Sequence, residues 1–250
     1  MQNRPESLMI RIGLLGSSGR MGTLITSLVQ SEFKSDLEII AMARKGDPLD
    51  PLLSADVIID VSLPPVMTQL ANLALKKGKD LPHFVVGSTG WSPEGLGLLE
   101  KLAGATPTLL STNFSSGVFA LSMMLKEYAP LLKKMGYFPV MIEKHHIHKK
   151  DAPSGTARTL QSSIDPIHPE QVQTHSIRAG EVIGDHEVTF YGAGDQITLS
   201  HHAQDRSIFA RGAIETARWL ATAKPSAHSH RILGMSDYFE SLKTNLLGAS

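Results

Sequence analysis

The 250-residue sequence contains no cysteine. Disulfide bonds, thiolate catalysis and cysteine-ligated zinc or iron–sulfur sites are therefore excluded. Lysine plus arginine and aspartate plus glutamate number 24 each, so no net charge attracts nucleic acid, and an anion site has to be a local cluster. This balance favours small-molecule partners and indicates no nucleic-acid partner.

Long apolar runs are absent as well. Residues 1–8 lead into a strand-like segment without a stretch long enough for a signal peptide or a membrane span. This pattern predicts a cytoplasmic protein with no membrane partner. Because 42% of the residues are hydrophobic and only 19% are charged, the chain can bury a substantial core, which excludes a disordered or collagen-like protein.

The first half of the chain alternates short β-prone runs with helix-compatible segments. The β-prone runs lie at 9–15, 37–43, 56–62, 84–88 and 108–112, and helical segments at 67–77 and 93–103 lie between several of them. Such alternation is typical of a parallel sheet with helices on both faces. We therefore predict an α/β fold built on a doubly wound parallel, Rossmann-like sheet.

The pattern changes near residue 113, which indicates a second domain. A long helical segment at 118–134 precedes strand-like segments at 139–143, 184–191 and 196–202, and helices are expected at 206–221 and 235–247. We expect a dinucleotide-binding domain formed by residues 1–115 and 225–250. Residues 116–224 are expected to form an α+β domain for substrate binding and oligomerisation.

Glycines recur at intervals of three residues where the first strand becomes the first helix: Gly13, Gly16, Gly19 and Gly22. Glycine allows a sharp turn and lets a pyrophosphate approach the N–H groups of a helix N-terminus. The spacing differs from the commoner G-x-G-x-x-G pattern. A plain glycine-rich turn is therefore the alternative interpretation.

The end of the second β-prone run is the position at which this fold usually reads the adenosine ribose. Arg44 and Lys45 follow that run directly, whereas Glu38 lies near its start. Two cations suit a 2′-phosphate and favour NADPH, although an ordinary solvated loop would look the same. Two small-residue loops, 87–90 and 111–114, also follow β-prone runs and suit either nicotinamide contacts or simple turns.

The densest chemistry lies in residues 143–157. Three histidines and three lysines fall within 144–150, and Ser154 is placed to cap a helix whose first N–H groups, at Gly155 and Thr156, can hold a carboxylate. Cations beside such a pocket predict an anionic substrate, and histidine or lysine can donate a proton.

A zinc site formed by His145, His146 and His148, completed by His201 and His202, is the alternative for this cluster. His146 and His148 would face one side of a strand. The three neighbouring lysines would repel a dication, so we expect no metal.

These motifs resemble the dihydrodipicolinate reductase family nearly end to end. The segments 13–22, 87–90 and 113–118 are similar to its nucleotide loop, its Gly-Thr-Thr-Gly loop and its Asn-Phe-Ser-x-Gly-Val motif. Residues 143–157 match its Glu-x-His-His-x-x-Lys-x-Asp-Ala-Pro-Ser-Gly-Thr-Ala signature at every fixed position. Segments 178–190 and 201–213 are similar to later blocks of the family.

The resemblance implies roles for individual residues. His145 takes the place of the family's proton donor or acceptor and Lys149 that of a second proton donor, while His146, Gly155 and Thr156 fall on substrate-binding positions, next to Ser154. The implied cofactor contacts are Gly16, Ser17, Ser18, Gly19, Arg20, Met21, Gly87, Ser88, Thr89, Ser111, Thr112, Asn113 and Phe114, to which the ribose argument adds Arg44 and Lys45.

Together these arguments predict an NAD(P)H-dependent oxidoreductase that reduces a cyclic, unsaturated imine dicarboxylate to tetrahydrodipicolinate in lysine and diaminopimelate synthesis. Arg44 occupies a position where many members carry an acidic residue, so we expect NADPH as the preferred cofactor and NADH as the alternative. The family also implies a homotetramer built from second-domain sheets, and segment 161–174 is shorter than usual. A dinucleotide-sensing protein without turnover and a metal-dependent hydrolase are the competing hypotheses.

Overall fold

A computed structural model describes residues 9–222 and 230–247, with side chains to residue 244. Contacts divide the chain into two compact units, Met1–Phe114 with Phe209–Ser250, and Ser115–Ile208. Within the described residues, no helix is both long and apolar enough to cross a membrane.

The strands and helices alternate in the first part of the chain and cluster in the second. The strands are β1 (Ile10–Leu15), β2 (Leu37–Ala43), β3 (Val57–Asp60), β4 (His83–Val86), β5 (Thr108–Leu110), β6 (Phe138–His145), β7 (Gln173–Arg178), β8 (Asp185–Tyr191) and β9 (Gln196–His202). The helices are α1 (Arg20–Leu28), α2 (Pro64–Lys77), α3 (Pro93–Ala105), α4 (Ser116–Lys134), α5 (Gly155–Ile164), α6 (Ser207–Thr222) and α7 (Met235–Leu247).

The first unit is built on a parallel sheet with strand order β2-β1-β3-β4-β5. All four residues of β3 are fully buried, which suits a strand covered on both faces. Leu15, Ile58 and Phe84 pack against apolar residues of α2 and α3 in one core. The predicted Rossmann-like α/β fold is confirmed, and strand order reverses at β1 and β3, where such sheets bind ligands beyond the strands' carboxyl ends.

The second unit contains a mixed sheet with strand order β7-β6-β8-β9. Strand β7 is parallel to β6, while β8 is antiparallel to both β6 and β9. Leu125 of α4 and Leu160 of α5 pack on Met141 and Phe190 of the sheet. Strand β7 is not predicted by the sequence pattern, because its edge segment carries a single aliphatic residue, Ile177, and lacks an apolar alternation.

Helix α6 belongs to the first unit, although the sequence-based division placed it in the second. Gly212 lies so close to Phe114 that a Cβ there would be 1.8 Å from the Phe114 carbonyl oxygen, and the His83 ring nitrogen is 2.8 Å from the Leu220 carbonyl oxygen. These close backbone contacts are long-range, so they leave no pattern in the sequence. The expected chain return near residue 225 lies outside the described residues.

Candidate active site

The glycine turn after β1 forms a close backbone passage at the start of α1. Gly16 has a φ of +89°, and a Cβ there would lie 2.8 Å from the Val61 carbonyl oxygen. A Cβ on Gly22 would lie 2.4 Å from the Gly16 carbonyl oxygen. Gly19 caps α1 without a side-chain hydrogen bond, and no acidic residue lies in the first helical turn. The turn therefore fits a dinucleotide pyrophosphate.

A groove of about 680 Å³ lies beside this turn. Arg44 and the hydroxyl-bearing residues Ser17 and Ser18 line it. No carboxylate follows β2 directly in the sequence, but the tight turn after β2 brings Asp47 into the groove. The Arg44 N–H donates to Asp47 Oδ2 at 2.9 Å, and this bond holds the pKa of Asp47 below its usual value. Lys45 is exposed and is not part of the groove lining.

A buried carboxylate organises the loops after β3 and β4. Asp60 accepts hydrogen bonds from the Ser62 and Ser88 hydroxyls at 2.5 Å each, and its burial raises its pKa. Ser88 is therefore held in the loop interior, whereas Thr89 beside it is exposed. Sequence reasoning missed Asp60, although its position at the end of a buried strand was a usable signal.

The remaining predicted cofactor loop also packs on this edge. A Cβ on Gly87 would lie 2.9 Å from the ring of Phe114, so the glycine permits that ring's approach. The Ser111 hydroxyl donates to the Asn113 carbonyl oxygen at 2.6 Å, while Thr112 is exposed. The structure thus brings both small-residue loops to the carboxyl edge of the first sheet.

In the second unit, strand β6 carries a buried glutamate–histidine pair. Its alternating pattern turns Glu143 and His145 to the same buried face. His145 Nδ1 is hydrogen-bonded to Glu143 Oε2, and Arg178 Nη2 donates to Glu143 Oε1 at 2.8 Å. Burial acts to raise the pKa of Glu143, but the bonds from Arg178 and Ser176 and the interaction with His145 hold it below its usual range. Glu143 is therefore an ionised acceptor.

An ionised Glu143 decides where the proton of a neutral His145 lies. The acceptor requires a hydrogen on Nδ1, so Nε2 carries the lone pair and points toward Gly184, where a Cβ would be 3.1 Å away. Burial, together with the charges of Lys149 and Arg178, lowers the pKa of His145, although Glu143 opposes this change. His145 can therefore accept a proton at Nε2 and can donate one from there only when it is the imidazolium.

The loop at 146–153 follows directly from this strand. β6 ends at His145, and Lys149 N donates to the His146 carbonyl oxygen in a turn. The prediction that His146 and His148 face one side of a strand is therefore wrong. Lys149 Nζ forms an ion pair with Asp151 Oδ1 at 2.8 Å while about a quarter of its side chain stays exposed.

Ser154 caps α5 as the sequence pattern predicted. Its hydroxyl accepts from the Ala157 N–H at 3.1 Å and lies 3.3 Å from His186 Nε2, and only 1% of the residue is exposed. Its contribution is therefore to shape the helix start, where Gly155 is exposed and has open space around it. The N-terminus of α5, with Gly155 and Thr156, can receive a carboxylate.

His186 is a buried neighbour that sequence reasoning did not assign. Its ring lies 5.3 Å from that of His145, and burial with the nearby His145 lowers its pKa to about 4. Glu143, His145 and His186 are the described residues whose ligand atoms lie within 4.8 Å of one another, a different set from the expected histidine triplet. Both oxygens of Glu143 already accept N–H groups and Arg178 adds a positive charge, which disfavours a dication.

Comparisons with known proteins cover both units. Residues 10–114 match the family description "Dihydrodipicolinate reductase, N-terminus", and residues 117–239 match "Dihydrodipicolinate reductase, C-terminus". The chain belongs to the dihydrodipicolinate reductase family.

Named relatives and solved structures agree with this family membership. A 4-hydroxy-tetrahydrodipicolinate reductase from Rickettsia rickettsii is 39% identical over 88% of this chain and 96% of its own length. A reductase of the same name from Campylobacter jejuni is 34% identical over 94% and 98%. A dipicolinate-bound dihydrodipicolinate reductase from Paenisporosarcina sp. TG-14 has a TM-score of 0.76 at 22% identity, covering 91% of this chain and 98% of that one, which shows a shared fold.

Proposed function

We propose that this chain is an NAD(P)H-dependent 4-hydroxy-tetrahydrodipicolinate reductase. It reduces a cyclic, unsaturated imine dicarboxylate to tetrahydrodipicolinate, in lysine and diaminopimelate synthesis. The observation that supports this most strongly is the second-unit arrangement of the Glu143–His145 pair, Lys149 and the start of α5 within one family signature. A sensor without turnover would not need two such proton-carrying groups.

Different residues have different roles in the proposed reaction. Bound nicotinamide supplies the hydride. Negative charge then develops on the ring-nitrogen side of the substrate, where the Lys149 ammonium can stabilise it and a proton has to follow. His145 supplies a proton from Nε2 when it is the imidazolium. Burial lowers the pKa of His145, and Glu143 opposes this by favouring the charged form. His146 and the N–H groups of Gly155 and Thr156 bind the substrate carboxylates, with Ser154 holding the helix start in place.

The test follows nicotinamide absorbance with freshly generated substrate. His145→Ala and Lys149→Ala are each expected to lower turnover by about two or more orders of magnitude, because acid catalysis and charge stabilisation are lost. Circular dichroism has to show an intact fold. Near-wild-type turnover of folded His145→Ala would contradict the role of that residue.

A chelator separates this proposal from a metal-dependent hydrolase. We expect activity to survive exhaustive chelation, since no step uses a metal. Loss of activity on chelation with recovery on added zinc would instead identify Glu143, His145 and His186 as ligands.

We further propose NADPH as the preferred cofactor and NADH as the alternative. The support is Arg44, whose guanidinium lines the groove beside the glycine turn and can bind a 2′-phosphate bidentately. Gly16 through Met21, Gly87 through Thr89 and Ser111 through Phe114 are proposed to bind the rest of the cofactor. Lys45 adds positive charge near the groove. Asp47 opposes the preference, because it already accepts from Arg44.

The homotetramer and the cytoplasmic location are proposals too. The outer face of the second-unit sheet supports self-association, because Phe138 and Tyr191 are paired there and are 58% and 47% exposed. Light scattering should show four copies for the wild type and fewer for Phe138→Glu. A monomeric wild type would contradict the proposed assembly.

A further inference from the structure

Arg178 ends the edge strand β7, opposite His145 in the parallel register. Its side chain is only 19% exposed. It donates hydrogen bonds to Glu143 Oε1 at 2.8 Å and to three carbonyl oxygens, those of Asp151 at 2.6 Å, Lys149 at 3.2 Å and Ile177 at 2.9 Å. One side chain thus connects a buried carboxylate with the loop at 146–153.

Two of these acceptors hold the loop that carries Lys149. The bonds to the carbonyl oxygens of Lys149 and Asp151 fix the backbone where the turn ends and two residues beyond it, and Lys149 Nζ pairs with the Asp151 carboxylate. The position of the Lys149 ammonium therefore depends on the Arg178 guanidinium, which holds the backbone of this loop.

The hydrogen bond from Arg178 to Glu143 affects which nitrogen of His145 carries the proton. Arg178 keeps Glu143 ionised in a buried position, and ionised Glu143 fixes the Nδ1–H form of the imidazole. Without a cation there, a carboxylate with no exposed surface would favour its protonated form. A protonated Glu143 could donate to Nδ1, which would place the histidine hydrogen on Nε2.

We propose that Arg178 is a positioning residue for both groups, holding Lys149 in place and His145 in one tautomer. This inference rests on the proposed reductase function. The planar guanidinium has five N–H donors in a fixed fork, whereas a lysine ammonium has three on a flexible stem and cannot reach the same four acceptors. Arg178→Lys therefore keeps the charge but loses the geometry.

Steady-state kinetics with the intact protein tests the positioning role. Arg178→Ala should lower kcat about 100-fold or more and Arg178→Lys at least tenfold, with KM for NADPH within about twofold. Added guanidinium should restore part of the Arg178→Ala activity, and urea at the same concentration should not. Lys133→Ala is the control, because the Lys133 side chain is 41% exposed, its ion pair with Asp165 lies in the same unit, and its loss should leave kcat unchanged. Folded Arg178→Lys protein with wild-type kcat would overturn the proposal.

A second measurement does not depend on activity. Nitrogen-15 NMR of the wild type should show the Nδ1–H tautomer of His145, and Arg178→Ala, which removes the cation beside Glu143, should show a mixture of tautomers. An unchanged tautomer in Arg178→Ala would overturn the proposal even if every variant is inactive. If the wild type lacks reductase activity but Arg178→Ala still shifts the tautomer, the proposed function would be wrong and the positioning role of Arg178 for His145 would remain.

Discussion

Each unit contains an arginine–carboxylate pair at its candidate site, and the two pairs differ in almost every physical respect. Arg44 and Asp47 are three residues apart on one turn, with side chains 67% and 37% exposed. Arg178 and Glu143 are brought together by neighbouring strands, with side chains 19% and 0% exposed. The first pair is local and solvated, while the second is distant in sequence and buried.

The difference in burial suits the two arginine–carboxylate pairs to different roles. A solvated pair contributes little to stability and can exchange partners, which suits a group that has to release its carboxylate and bind a phosphate. When one partner of a buried pair is removed, the folded protein is strongly destabilised, because the remaining buried charge has no counter-charge. The proposed cofactor groove therefore contains a solvated arginine that can change partners, and the proposed catalytic cluster contains a buried arginine that cannot.

The largest expected effect tests this contrast in stability. Glu143→Ala should lower the free energy of unfolding by about 3–5 kcal/mol, because it leaves Arg178 and His145 without their buried acceptor. Asp47→Ala should change it by less than about 0.5 kcal/mol. Denaturant titration followed by circular dichroism measures both. Similar losses in the two variants would remove the distinction between the pairs.

The acid side of the stability profile gives the next effect. His186 has a folded pKa of about 4 against an ordinary value near 6.5, so the unfolded state binds its proton first as the pH falls. Its contribution is present above pH 6.5 and is lost progressively down to about pH 4, to a total of roughly 3 kcal/mol.

The matched variant for this effect is His186→Gln, whose amide does not titrate. Between pH 6.5 and 4 it should lose less stability than the wild type, measured by denaturation at each pH. Asp47→Asn should follow the wild-type curve over that window. Parallel curves for the wild type and His186→Gln would contradict the buried neutral state of His186.

The effect of Arg44 on cofactor preference is expected to be smaller in free energy than the two stability effects. The wild type should prefer NADPH in kcat/KM by about tenfold, or roughly 1.4 kcal/mol, the scale of one or two charge-assisted contacts. Arg44→Glu should erase or reverse this preference with little change in kcat for the favoured cofactor. Equal use of both cofactors by the wild type would show that Arg44 is an ordinary solvated residue.

The smallest effect concerns Asp47. Asp47→Asn removes the charge that competes for Arg44, so it should raise the NADPH preference a few-fold, by about 0.5 kcal/mol. Kinetics with both cofactors at low and high salt provides the measurement, since screening should shrink the difference. A shift toward NADH would mean that Asp47 supports phosphate binding instead of opposing it.

Much of the fold was predictable because it depends on short-range patterns. Glycine spacing and apolar runs predicted the strand, turn and helix around Gly16, and Ser154 was predicted as a helix cap. The prediction missed β7, whose polar edge sequence lacks an apolar pattern. It also assigned α6 to the wrong unit, because close packing of Gly212 on Phe114 is a long-range contact.

The sequence by itself determined which chemical groups this protein has, where they lie along the chain and which family it belongs to, since these follow from residue identity and spacing. Only the tertiary structure decided which groups meet. It brought Arg178 to Glu143 across 35 positions. The physical reason is that strand pairing and burial set the partners, and therefore the charge state and tautomer, of each candidate residue.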